Sequence, residues 1–234
     1  MVYSRGFRYM ETLSLIYNID CVEGLATLEE NTFDLILADP PYFGYQTSHR
    51  KDKQDKLSQA IVYQPQDEQV RTMHKCIKLL KQDRSFWFFT NWENTHWMYT
   101  PFKSLIRNQI IWDKGNWTAG DLKGSFGNTY EVILLGAKGK WEYSGRRECD
   151  IWSIPRVGTN RIHITEKPVA LYKKIIENST QPGDWILDPY LGSGASVIAA
   201  LELGRNIIGY EIDKVYFSRI EERIANWKKI SVTK

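Results

Sequence analysis

The run FDLILAD, Phe33–Asp39, constrains the fold more than any other stretch of this chain. Its apolar residues fill both alternating sets of positions, so neither face of a strand made from it can lie against water. That is how a central parallel strand reads. DWILDP (184–189) and NIIGYEID (206–213) follow the same plan, a short apolar run stopped by an acid, and SFWFFTN (85–91) and SLIYN (14–18) add two further strands. Between them lie segments of helical spacing: CVEGLATLEEN (21–31), DEQVRTMHKCIKLLKQ (67–82) and KVYFSRIEERIANWKK (214–229). KPVALYKKIIENS (167–179) opens with proline in its first turn, and SGASVIAALELG (193–204) closes on glycine. NQIIWDK (108–114) and TYEVILLGAKG (129–139) read as two strands joined by a polar, glycine-rich loop, and Pro101 interrupts a helix over 95–107. From Lys140 to Arg161 the signals are weak. Strands alternating with helices predict an α/β fold, doubly wound around a mostly parallel sheet. The 234 residues suit one domain, without internal repeat or linker.

Composition narrows the class. Cys21, Cys76 and Cys149 are far apart and form no CxxC pair, which argues against a disulfide or zinc framework; no metal site is expected. No leader-like or membrane-spanning apolar run occurs, so a soluble, cytoplasmic protein is expected. A net charge of +3 permits a nucleic-acid partner without demanding one.

Two constellations carry chemistry. In ILDPYLGSGAS, an acid and two glycines, Gly192 and Gly194, join a strand to a helix, where a ligand can approach the backbone. Glu211 ends the next strand and is placed to take both ribose hydroxyls. A plain tight turn is the competing reading of the glycines alone. The third glycine of a dinucleotide loop is missing, which disfavours a nicotinamide enzyme and favours an adenosine ligand without pyrophosphate, S-adenosylmethionine above all. The second constellation is Asp39, Pro40, Pro41 and Tyr42, at the carboxyl end of the central strand, where open α/β sheets bind ligands. The prolines remove two backbone donors, and an ionised carboxylate only accepts. Acceptors beside an aromatic ring match a planar base carrying an NH₂ group.

These motifs resemble those of DNA amino-methyltransferases that use S-adenosyl-L-methionine. DPPY matches that family's catalytic motif, and DPYLGSG its cofactor loop, with Tyr190 where Phe is usual. HITEKP (163–168) resembles the segment preceding that loop, with Ile164 in place of proline, and Glu131 matches an acid in a later strand, with Tyr130 where histidine is frequent. The catalytic motif precedes the cofactor loop, the permuted order of the β class. The resemblance implies a seven-stranded Rossmann-like methyltransferase sheet with one antiparallel strand. It implies that Asp20 and Cys21 lie at the cofactor adenine, Thr165 and Lys167 near the methionine end, and Asp39, Asp188, Tyr190, Gly192, Ser193, Gly194 and Glu211 around the cofactor. DPPY goes with adenine N6 more than with cytosine N4, so a site-specific adenine methyltransferase is expected. Cytosine N4, an RNA amino-methyltransferase and a catalytically silent DNA-binding protein remain as alternatives; the missing Pro-Cys argues against cytosine C5.

A paired base must be flipped into such a pocket. Tyr42 is the first stacking candidate, followed by Phe43 and Tyr45. Arg50, Lys51, Lys53, Lys56, Lys114 and Lys123 are candidate DNA contacts, and target recognition is expected within about 44–65, 115–128 and 140–161. A second subunit would enlarge the DNA surface; a homodimer and a cognate restriction endonuclease stay open as partners.

Overall fold

The computed structural model describes residues 12–42, 64–117, 123–145, 147–159 and 161–232. Phe43, Tyr45, Arg50, Lys51, Lys53 and Lys56 lie outside them, as does Arg146. The described residues form an eight-stranded sheet: β1 (Ser14–Tyr17), β2 (Phe33–Ala38), β3 (Leu80–Thr90), β4 (Ile106–Asp113), β5 (Tyr130–Lys138), β6 (Ile151–Ser153), β7 (Trp185–Asp188) and β8 (Asn206–Tyr210). Their order is β1-β8-β7-β2-β3-β5-β4-β6. Only β5 runs against its neighbours β3 and β4, which is the single reversed strand that the family resemblance implied. The eighth strand corrects the expected seven. β6 is three residues long and forms the sheet edge, pairing in parallel with β4.

All six residues of β2 are buried, as its unbroken apolar run requires. Its side chains split between two cores. Leu35 and Leu37 join Trp87 and Phe89 of β3 in one, under α4 (Val169–Ser179), α5 (Ala195–Glu202) and α6 (Lys214–Val232). Ile36 and Ala38 join Phe86 and Phe88 in the other, with Leu25 of α1 (Cys21–Ala26), Met73 of α2 (Gln66–Leu79) and Met98 of α3 (Thr95–Tyr99). The period of two along each strand thus feeds both helical layers, the doubly wound arrangement.

Asp34 is the exception in that apolar run. It is buried, and its carboxylate accepts from Lys81, Arg84 and the Trp185 backbone N–H, all at 2.9–3.0 Å. Those two cations begin β3, which is why this strand starts at Leu80, five residues earlier than its apolar core suggests. α3 stops at Tyr99 and passes into a 3-10 turn over Thr100–Phe102 that contains Pro101. Among the described residues no helix is long and apolar enough to cross a membrane.

Candidate active site

The parallel strands β1, β2, β7 and β8 deliver their carboxyl ends to one cleft with an empty volume of about 1110 Å³. Asp39, Pro40, Pro41 and Tyr42 line one part of it; Asp20, Cys21, Thr165, Lys167, Tyr190, Gly192, Ser193 and Glu211 line the rest. The two constellations separated by about 150 residues therefore share a single space.

At the glycine loop the backbone sets the shape. Gly192 has φ +52° and Gly194 φ +70°, both left-handed and suited to residues without a Cβ. Glu211 fixes this loop to β8: one carboxylate oxygen accepts from the Gly192 N–H at 2.8 Å and the other from the Asp213 N–H at 2.9 Å. Burial nevertheless pushes Glu211 up to about 7. Asp188 and Gly194 stand behind the cleft rather than in its lining. Asp188 accepts from the Tyr190 N–H at 2.9 Å and from the Ser196 hydroxyl at 2.5 Å, holding the turn from β7 into α5, and Gly194 caps that helix. Burial pushes Asp188 up to about 7 as well. Tyr190 donates its hydroxyl to Gln64 Oε1 at 2.7 Å, so this polar atom has a partner. Asp20 caps α1 through the Val22 N–H at 2.8 Å. Burial, followed by the Asp20 charge, pushes the Cys21 thiol up to about 12 and keeps it unreactive.

The Asp39–Tyr42 corner is held from three sides. Gln69 of α2 donates to the Pro41 carbonyl at 2.7 Å and to the Gln64 carbonyl at 2.9 Å, which engages the Pro41 carbonyl within the protein. Tyr42 donates its hydroxyl to Glu131 Oε2 at 2.9 Å. Lys167 places its ammonium 2.6 Å from Asp39 Oδ2, 3.3 Å from Glu131 Oε2 and 5.0 Å from the centre of the Tyr42 ring. Burial pushes Asp39 up and Lys167 works against it. For Lys167 burial pulls down, but two carboxylates overcome it and keep the ammonium charged. Glu131 is held below the usual carboxylate range: burial opposes this, but Lys167, Lys114 and the Tyr42 hydroxyl prevail.

Sequence reasoning foresaw the cleft but not its supports. Glu131 drew attention only through a family motif, yet three side chains converge on it. Lys114, read as a DNA contact, instead turns inward: it is buried and pairs with Glu131 Oε1 at 3.3 Å. Lys123 is exposed in the β4–β5 connection. His163 also lines the cleft, against Tyr216 with ring centres 4.1 Å apart, and burial, then Lys167, pulls it down to about 4.

Residues 33–222 match the DNA methylase family that groups N6 and N4 enzymes. The chain belongs to this family. The type II methyltransferase M.HinfI of Haemophilus influenzae is 30% identical over 251 residues, an alignment covering 92% of this chain and 69% of that protein. The fold of this DNA methylase is also that of M1.HpyAVI, solved in complex with S-adenosyl-L-methionine, at a TM-score of 0.71 and 22% identity, covering 91% of this chain and 99% of the other. The cytosine-N4-specific PvuII DNA methyltransferase superposes at 0.69 with 16% identity, covering 92% and 91% of the two chains. The protein is a DNA methyltransferase of the N6/N4 family.

Proposed function

We propose that this methyltransferase transfers a methyl group from S-adenosyl-L-methionine to the exocyclic N6 of adenine within a short DNA sequence, with the base flipped out of the duplex. The observation that carries the reading is the shared cleft, lined by Asp39 and Tyr42 together with Gly192, Ser193 and Glu211. The residues fit the cofactor. Both Glu211 oxygens are fixed by amides yet retain acceptor capacity for ribose hydroxyls, and Gly192 presents no Cβ to the cleft. Asp20, Thr165 and Lys167 line the same space and would hold the adenine and methionine ends.

When bound, S-adenosyl-L-methionine supplies an electrophilic methyl group on a sulfonium. Asp39 and the Pro40 carbonyl accept hydrogen bonds from the target NH₂, which favours a more tetrahedral nitrogen whose lone pair is available. Tyr42 offers a stacking face that keeps the base in plane. Positive charge develops on the nitrogen, and the Asp39 carboxylate stabilises it. Holding the two reacting groups in line supplies much of the remaining rate. No covalent bond to the protein is required.

Adenine is favoured by DPPY in place of SPPY, and the motif order is that of the β class. Cytosine N4 is the second reading, supported by the likeness to the PvuII enzyme. Incubating the protein with labelled cofactor and duplex DNA, then separating the nucleosides, decides between them. N6-methyldeoxyadenosine is expected; N4-methyldeoxycytidine would overturn the adenine assignment. Duplicate reactions on single-stranded DNA and RNA test the substrate class, and modification-sensitive sequencing gives the target site.

A further inference from the structure

Four charged side chains alternate in sign through the protein behind the catalytic corner: Asp39, Lys167, Glu131 and Lys114, linked at 2.6, 3.3 and 3.3 Å. We propose that Lys167 and Glu131 are positioning residues for methyl transfer: Lys167 clamps one oxygen of Asp39 so that the other meets the target amino group, and Glu131 holds the same ammonium so that Asp39 keeps its negative character. This rests on the reading of the corner as an amino-group site.

The terminal torsion of an aspartate is soft, so a lone carboxylate at the mouth of a cleft has no fixed direction. Lys167 removes that freedom. Its side chain is only 3% exposed, walled by Tyr42 and Phe89, and its ammonium lies 2.6 Å from Asp39 Oδ2. Asp39 keeps 15% of its side chain exposed in the cleft. A cation this close would also cancel the charge that an amine becoming positive needs. Glu131 offsets that cost, because an ammonium shared between two carboxylates leaves the trio one net negative charge. Lys114 meets the other Glu131 oxygen, Oε1, at 3.3 Å, so the two lysines share Glu131 through different oxygens. Glu131 also receives the Tyr42 hydroxyl, and the stacking ring and the accepting carboxylate are thereby set by one side chain. Burying four charges for stability alone would be a poor exchange against apolar packing.

The test is single-turnover methyl transfer across pH for Glu131→Gln, Lys167→Met and Lys167→Arg, with cofactor affinity measured by calorimetry on each. The charged and titratable groups facing Asp39 are Lys167 before α4, Tyr172 within it, Glu131 on β5, Tyr42 in the same loop and Asp188 at the end of β7. At saturating cofactor both Glu131→Gln and Lys167→Met are expected to lose about 100-fold in rate, the scale of one lost transition-state contact, with cofactor binding retained in Glu131→Gln. Lys167→Arg should recover part of that loss. The acidic limb of the rate profile should move in opposite directions, to lower pH without the Glu131 charge and to higher pH without the Lys167 charge. A merely structural role would shift neither limb. Wild-type rates in Glu131→Gln, or limbs that move together, would overturn the proposal. Glu131→Gln is isosteric and decides the matter alone if Lys167→Met fails to bind cofactor. Absence of methyl transfer by the wild-type protein would count against the proposed function itself and is a separate result.

Discussion

Lowering the pH from about 8 to about 6 should weaken S-adenosyl-L-methionine binding roughly tenfold, through Glu211. Burial pushes this carboxylate from 4.5 up to about 7, while the Gly192 and Asp213 amides pull the other way without prevailing. At pH 8 the group is charged and both oxygens accept. At pH 6 most molecules carry a proton there, and one unit below the folded value ionisation costs about 1.4 kcal/mol, a factor of ten in affinity. The sign for stability is the reverse. A carboxylate raised on folding penalises the folded state above its folded value, here by about 3 kcal/mol, and the penalty fades as pH falls from about 7 toward 4.5. Glu211's own contribution thus favours the free protein at lower pH while its cofactor binding weakens. Calorimetric titration without DNA at several pH values measures the effect. Glu211→Gln is the control: it should bind weakly at pH 8 and lose the pH slope. Asp188, also raised to about 7, is present in both proteins and cancels in the comparison. A wild-type dissociation constant that stays flat, or a Glu211→Gln protein that keeps the tenfold slope, would refute the reasoning.

Other perturbations separate chemistry from folding. Asp39→Ala should abolish methyl transfer while cofactor binding persists, checked by labelled-methyl incorporation and calorimetry. Gly194→Ala should destabilise by about 2–3 kcal/mol in urea unfolding, from left-handed strain and crowding, because its Cβ would fall 2.7 Å from Ile220 Cγ2. Asp34→Ala should cost about 2 kcal/mol, since Trp185 loses a buried acceptor; Lys81 and Arg84 are 41% and 39% exposed and can turn to water. That measurement uses the same unfolding assay, and methyl transfer should survive in the folded fraction.

The legible parts of this protein share one grammar. An apolar run that ends in an acid announces a parallel strand with its carboxyl end at or behind the cleft, and Asp39, Asp188 and Glu211 were all found that way. β6 obeys no such rule: three residues long at the sheet edge, it buries only Trp152, too little for any period to show. α1 was read to Asn31 but ends at Ala26, where the Thr27 N–H and hydroxyl both turn back to the Gly24 carbonyl. The start of β3 was hidden because its first residues are charged for the sake of Asp34. Lys114 was misplaced for the converse reason. A lysine beside a glycine-rich loop looks like a surface cation, and only the fold reveals the acid waiting for it.

Glu131 escaped the same grammar because β5 is reversed. It stands ahead of its apolar run, at the strand's beginning, where an acid ordinarily marks nothing. The hairpin brings it opposite Trp112, and the Lys114 N–H closes on the Thr129 carbonyl at 2.8 Å. Side chains alternate faces along a strand, so sliding β5 by one residue against β4 would send Glu131 to the opposite side of the sheet. Tyr42, Lys167 and Lys114 would lose their common partner at one stroke. The alignment of two strands is therefore a component of the active site, as consequential as any single residue in it.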